Sequence, residues 1–160
     1  MNDSSLGNKT VDKNLYYAKW EIPFYPGKIK AIGYKNGKAV TEHLLQTAGD
    51  AAGIKLVCNK QNLQANETDV AIIEINVVDK KGIPVHDNQQ EISVSIDGPA
   101  TLIGLDNGDQ RSHDPYKTSS RKAFNGRLLA TVQATDKAGK VVVKFSGTGL
   151  QTGVVEIIIR

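Results

Sequence analysis

Four carboxylates stand in short polar stretches of the chain: Asp97, Asp106, Asp109 and Asp114. A pair of carboxyls that works as nucleophile and acid needs the two held about 5 Å apart, with one kept protonated by its surroundings. All four fall in turn-like sequence, where an Asp side chain ordinarily bonds local backbone and stays solvated. A solvated carboxyl keeps its ordinary pKa, so the sequence assigns no catalytic residue. Oxygen donors do crowd in one place, where Asp106, Asn107 and Asp109 precede His113 and Asp114. They are of the type that binds calcium, but Asp-Asn-Gly-Asp is too tight for alternate-residue ligation. A tight turn leading into an extended loop is preferred over a bound cation in 106–114. Zinc has no ligand set in one cysteine and three dispersed histidines, His43, His86 and His113. No metal and no cofactor is expected.

The loop Asp106–Asn125 is the most informative segment, about 20 residues without strand pattern, a length at which loops tend to be functional or unusually well packed. Arg111, Ser112, His113, Asp114, Tyr116, Lys117 and Arg121 can all hydrogen-bond, and Tyr116, Arg121 and Phe124 are types enriched at interfaces. Two readings stand beside each other. In one the loop docks on a neighbouring domain or a ligand through Asp106, Asn107, Asp109, His113, Tyr116, Arg121 and Phe124. In the other it packs on itself and its polar groups satisfy its own backbone. Aromatics also gather in the first third: Tyr16, Tyr17, Trp20, Phe24, Tyr25 and Tyr34. Trp20 alternates with Ala18 and Ile22, which places it in a core or a domain interface rather than on a sugar platform.

These residues sit on a chain that reads as all-β. Ile92, Val94 and Ile96 alternate with Ser93 and Ser95, and Val141, Val143 and Phe145 repeat the pattern. Alternation of this kind gives one core face and one wetter face. Strands are expected near 54–59, 69–79, 91–97, 100–105, 126–135, 139–147 and 153–159, punctuated by turns such as Asp136-Lys137-Ala138-Gly139. Seven short strands at this spacing suggest an immunoglobulin-like sandwich, with a small barrel as the alternative. Cys58 runs in phase with Ile54 and Leu56 and is expected in the core.

The first 50 residues differ. A strand is expected over Tyr16–Ile22, and a hairpin joins Lys28–Lys35 to Lys38–Gln46 around Asn36-Gly37. Three or four strands need a cover for their apolar face. The expectation is an incomplete sandwich over 1–50, a small-residue linker at Ala48–Gly53, and a complete sandwich over 51–160. The uncovered edge strands of 15–46 are expected to self-associate or to lean on another domain.

Bulk properties narrow the partners. The 160 residues carry a net charge of +3 with scattered lysines, so no basic stripe marks a nucleic-acid partner. No apolar run approaches the length of a membrane helix. One cysteine allows no internal disulfide. The polar start Met1-Asn2-Asp3-Ser4-Ser5 has no apolar signal core.

Two stretches carry a resemblance. Trp20-Glu21-Ile22-Pro23-Phe24-Tyr25-Pro26-Gly27, followed by Lys28–Lys38, looks like the end of an immunoglobulin-like accessory domain in bacterial β-galactosidase-like enzymes of glycoside hydrolase family 2. Ile103-Gly104-Leu105-Asp106-Asn107-Gly108-Asp109, then Ser112–Lys117 and Arg121–Gly126, resembles the last domain of the same enzymes. The resemblance covers about Ser4 to Ile159. It implies a parent that is an exo-acting β-galactosidase-type hydrolase, often from gut bacteria, and periplasmic or secreted. It places the two catalytic glutamates on an upstream barrel, so no catalytic residue carries over. What carries over is an accessory role of packing around that barrel, with the remaining domains of the parent as partners. A carbohydrate is the weaker expected partner. An independent carbohydrate-binding module and an adhesin-type sandwich are the rival readings.

Overall fold

The computed structural model describes residues 1–160 and is all-β, with eleven strands and no helix. The chain divides into two compact units, Met1–Thr47 and Ala48–Arg160.

In the first unit β1 (Lys28–Lys35) and β2 (Lys38–Gln46) form a two-stranded antiparallel sheet. Asn36 and Gly37 join them with φ of 52° and 75°. Both residues left-handed is the type I′ requirement, and its twist matches that of the paired strands. The strand expected over Tyr16–Ile22 is absent. The chain instead folds a small loop in which the Tyr16 amide donates to the Asp12 carbonyl at 2.8 Å and the Asp12 amide donates to the Tyr17 carbonyl at 3.1 Å. The Asp12 carboxylate accepts from the Asn14 and Leu15 amides, which also hold it below the ordinary carboxylate range. Tyr16 has φ 59°, so it cannot continue a strand. Trp20 lies outside any buried core, 39% exposed. Its Nε1 donates to the Leu6 carbonyl at 3.2 Å, and the Lys9 ammonium sits 5.4 Å from the ring centre.

The second unit is a two-sheet sandwich. Its strands are β3 (Ala51–Cys58), β4 (Asn62–Leu63), β5 (Val70–Asp79), β6 (Glu91–Asp97), β7 (Ala100–Asp106), β8 (Ser120–Lys122), β9 (Arg127–Ala134), β10 (Gly139–Ser146) and β11 (Gly153–Ile159). One sheet runs β3-β5-β9-β7 and the other β4-β11-β10-β6-β8. Setting aside short β4 and β8, this is the ABED and CFG order of an immunoglobulin constant-type sandwich. Alternate residues meet between the sheets: Ala71, Ile73, Ile75 and Val77 from β5 face Val141, Val143 and Phe145 from β10. Phe145 is the largest fully buried side chain. No disulfide spans the sheets, and Cys58 is only partly buried at the margin of the core, its thiol donating to the Lys60 carbonyl at 3.1 Å. Cys58 closes an edge strand, which accounts for the departure from a core position. The expected linker is shorter than Ala48–Gly53, because Ala51–Gly53 already pair with β5 across a bulge.

Candidate functional site at the loop between β7 and β9

Asp79, Asn107 and Arg121 illustrate how polar side chains hold the loops of the second unit, and two of them shape the long loop from Asp106 to Gly126. Arg121 lies on β8, which pairs with β6 through Ile92. Its inward register buries it to 4% exposure. The guanidinium donates to the Asp114 carbonyl at 2.5 Å and the Pro115 carbonyl at 3.1 Å, and reaches the Asp106 carboxylate at 3.5 Å. The Tyr116 ring lies over it, 5.1 Å from ring centre to guanidinium carbon. Five donors in a planar fork let one side chain tie several acceptors at once, which lysine cannot copy. Arg121 Nε alone has no partner. Tyr116 is 63% exposed, but its backbone carbonyl is fixed by the Leu105 and Thr118 amides.

The tip of the loop is a chain of local bonds. Asn107 donates from Nδ2 to the Lys122 carbonyl at 3.0 Å and accepts from the Asp109 amide at 3.1 Å. Asp109 receives both Nε and a terminal nitrogen of Arg111, at 2.9 and 3.1 Å. That guanidinium and the Arg111 amide hold the Asp109 carboxyl below its ordinary range. Ser112 donates to Asp114 at 3.1 Å. Arg111 also lies over Phe124, 5.7 Å from the ring centre. Phe124 and Arg127 exchange backbone bonds at 3.1 and 3.0 Å around Asn125-Gly126, so the loop re-enters β9 through a second type I′ turn.

The structure therefore brings Asn107, Asp109, His113 and Phe124 to the wall of one shallow open depression, with Asp114 and Lys122 beside them. A second depression, reached by His86, Asn125 and Arg127, shares Asn107 and Phe124 as its wall. Asp106 and Tyr116 join the site through Arg121, whereas Trp20 belongs to the other unit. Gln89, Lys122 and Arg127 line the site without having been singled out in the sequence. The Asn125-Gly126 turn was the signal that sets Lys122 and Arg127 on either side of Phe124. No three His, Cys, Asp or Glu side chains converge as a metal cluster, and both oxygens of Asp109 are engaged by Arg111.

Comparison with known proteins gives the family. Residues 54–156 match the model described as glycoside hydrolase family 2 C-terminal domain 5. Residues 1–41 match a domain of unknown function, DUF4982. Beta-galactosidase BoGH2A of Bacteroides ovatus is 32% identical over 157 residues, 98% of this chain and 18% of that protein. The crystal structure of a glycosyl hydrolase family 2 member from Bacteroides cellulosilyticus superposes with TM-score 0.95 at 27% identity, over 100% of this chain and 21% of that one. A beta-glycosidase from Bacteroides vulgatus is 33% identical, with TM-score 0.87 over 98% of this chain and 20% of that one. The chain thus spans about a fifth of the length of the relatives it matches. With a matched C-terminal domain over most of its length and an immunoglobulin-like sandwich to carry it, this chain belongs to glycoside hydrolase family 2.

Proposed function

We propose that the chain is a non-catalytic accessory region of a periplasmic or secreted β-galactosidase-like hydrolase, and that it acts by packing against the parent's remaining domains. In this reading residues 1–50 are the C-terminal half of an immunoglobulin-like accessory domain, and 51–160 are a complete C-terminal one.

One observation carries it. The β1–β2 sheet exposes apolar side chains on both faces: Ile32 and Leu44 share the register of one and Leu45 that of the other, with Tyr34 and Val40 exposed at the bulge. A two-stranded sheet cannot bury its own faces, and an apolar surface of this kind is a packing surface. The exposed ring of Tyr116, carried on the Arg121-anchored loop, adds a rigid aromatic contact of the type that anchors interfaces. Against chemistry of its own stands the state of the loop carboxylates. Asp109 is paired and acidic, and Asp106 and Asp114 bond neighbouring backbone or side-chain groups.

Assay of this chain with a chromogenic β-galactoside tests the reading directly. No turnover above the buffer rate is expected, and steady turnover that copurifies with the chain overturns the non-catalytic assignment. Light scattering tests the packing surface. With no partner domain present, the edge strands β1 and β2 are expected to drive concentration-dependent self-association. A strict monomer whose fast amide exchange is confined to the termini removes the packing reading.

A further inference from the structure

The paired depressions around Phe124 have a composition that the packing role does not use. Lys122 and Arg127 are exposed, stand on either side of Phe124 in the chain, and enter none of the ion pairs. Arg111 is neutralised by Asp109, which leaves Asp114 as the one unpaired carboxylate of the lining, already accepting from Ser112. The local balance is cationic. Around these charges stand planar or hydroxyl-matching groups: the side chains of Gln89 and His113, the half-buried Phe124 ring, and Asn107 fixed by its bond to the Lys122 carbonyl. The wall is held rigid. Ala123 is buried, and its amide donates to the Gln90 carbonyl at 2.8 Å, while the Gly126 amide donates to Asn88 at 2.9 Å.

We infer that the two depressions form one binding surface for a carboxylate-bearing saccharide that crosses Phe124. Four features define the ligand class. A shallow, open, polar surface matches a hydroxylated chain rather than an apolar molecule, which needs an enclosed pocket. The part of the Phe124 ring that the Arg111 guanidinium leaves uncovered contacts the apolar edge of a sugar ring. Lys122 and Arg127, one in each depression, each meet a carboxylate, and the two sites together favour a ligand with more than one acidic residue over a single anion. The Asp114 oxygens accept ring hydroxyls and disfavour a ligand that is charge alone. The residues of this surface belong to Ala48–Arg160 and the β1–β2 sheet to Met1–Thr47, so failure of the one leaves the packing role of the other standing.

Titration of the 15N-labelled chain with trigalacturonate, with galactotriose and with sodium acetate tests the inference by amide shifts. Trigalacturonate is expected to shift the amides of Asn107, Lys122, Phe124 and Arg127. It is expected to bind at least about tenfold more tightly than galactotriose or acetate, and to weaken as salt screens the two cations. Lys122→Gln with Arg127→Gln is expected to abolish that preference while melting stays unchanged, since neither side chain is paired. Phe124→Leu is expected to weaken both sugars. Equal binding of the acidic and neutral sugars overturns the assignment of the cations, and equal binding of acetate overturns the saccharide. Shifts elsewhere, or none with trigalacturonate at about 10 mM, a concentration above any useful affinity, overturn the site itself.

Discussion

Gly126 occupies a position that no other residue can take without disturbance. Its φ is 70°, and a Cβ built there meets the Val85 carbonyl oxygen at 2.2 Å. Gly126→Ala is expected to cost more than about 2 kcal/mol in urea unfolding, combining left-handed strain with a backbone clash. Its neighbour Asn125 has φ 51°, and Asn125→Gly is expected to change stability by less than about 0.5 kcal/mol, since glycine adopts that region freely. Asp79 gives a pH prediction. The amides of Gly49 and Ile83 donate to its carboxylate at 2.9 Å, and that of Lys81 at 2.8 Å. The Gly49 and Ile83 bonds, against the pull of burial and with help from Lys81, hold the carboxyl below 3.8. A lowered folded value stabilises the fold above the unfolded value and ceases to do so as pH falls through the folded one. Asp79→Asn is therefore expected to lower the melting temperature at neutral pH, and the gap to the parent chain should close as pH drops below 3.8. A gap that is constant with pH would show that ionisation of Asp79 contributes nothing. Arg121 was not legible as an anchor from its sequence, because a cation between Ser120 and Lys122 reads as a surface residue. Only the pairing of β8 with β6 turns it inward.

Strands marked by a buried-face period or by a diagnostic turn were legible at the scale of elements. The alternation at 91–97 gives β6 with its bounds, and the Asn36-Gly37 hairpin gives β1 and β2. Both signals are local, one a period and the other a turn type. Tyr16–Ile22 shows the limit of the same reasoning. Ala18, Trp20 and Ile22 alternate, but a strand also needs an edge to pair with, and the period does not reveal whether one is present. Short β4 and β8 escaped notice because two or three residues carry no period. The loop before β9 was legible as a loop, and its self-bonding was one of the two readings open to it. Its internal network makes a prediction that belongs at this scale. Arg121→Met removes the bonds to Asp114 and Pro115 together, and the loop is expected to loosen while the sheets persist. Hydrogen exchange should accelerate at the 108–118 amides and at Leu105, with a stability loss of about 1–3 kcal/mol. Unchanged exchange in that segment would show that the remaining local bonds suffice.

Across the whole molecule, the two units differ in how they satisfy themselves. Ala48–Arg160 closes a core between two sheets, so this segment alone is expected to melt in one cooperative transition, and Phe145→Ala should cost it about 3–5 kcal/mol. Met1–Thr47 has no comparable core and owes its order to turns, a hairpin and side-chain bonds such as that from the Lys28 amide to the Asn2 side-chain oxygen. The family could be suspected from 103–126 and 20–38 because those stretches combine unusual residue types in fixed order. The division of labour between the units could not, since burial depends on contacts that sequence order does not display. One small feature of the sandwich bears on how it takes load. β4 runs parallel to β11, with Ile158 beside Asn62 and Ile159 beside Leu63, and the Arg160 amide donates to the Leu63 carbonyl at 2.9 Å while Ala65 donates to the Arg160 carbonyl at 2.8 Å. Tension drawn through Ala48 and Arg160 reaches β4 only through β3, whose pairing with β5 stands first in its path; once β3 parts, the parallel β4 and β11 are pulled in opposite directions along their length. The bonds between them are then sheared together rather than peeled one after another, which makes the two-residue β4–β11 pairing a second latch behind β3.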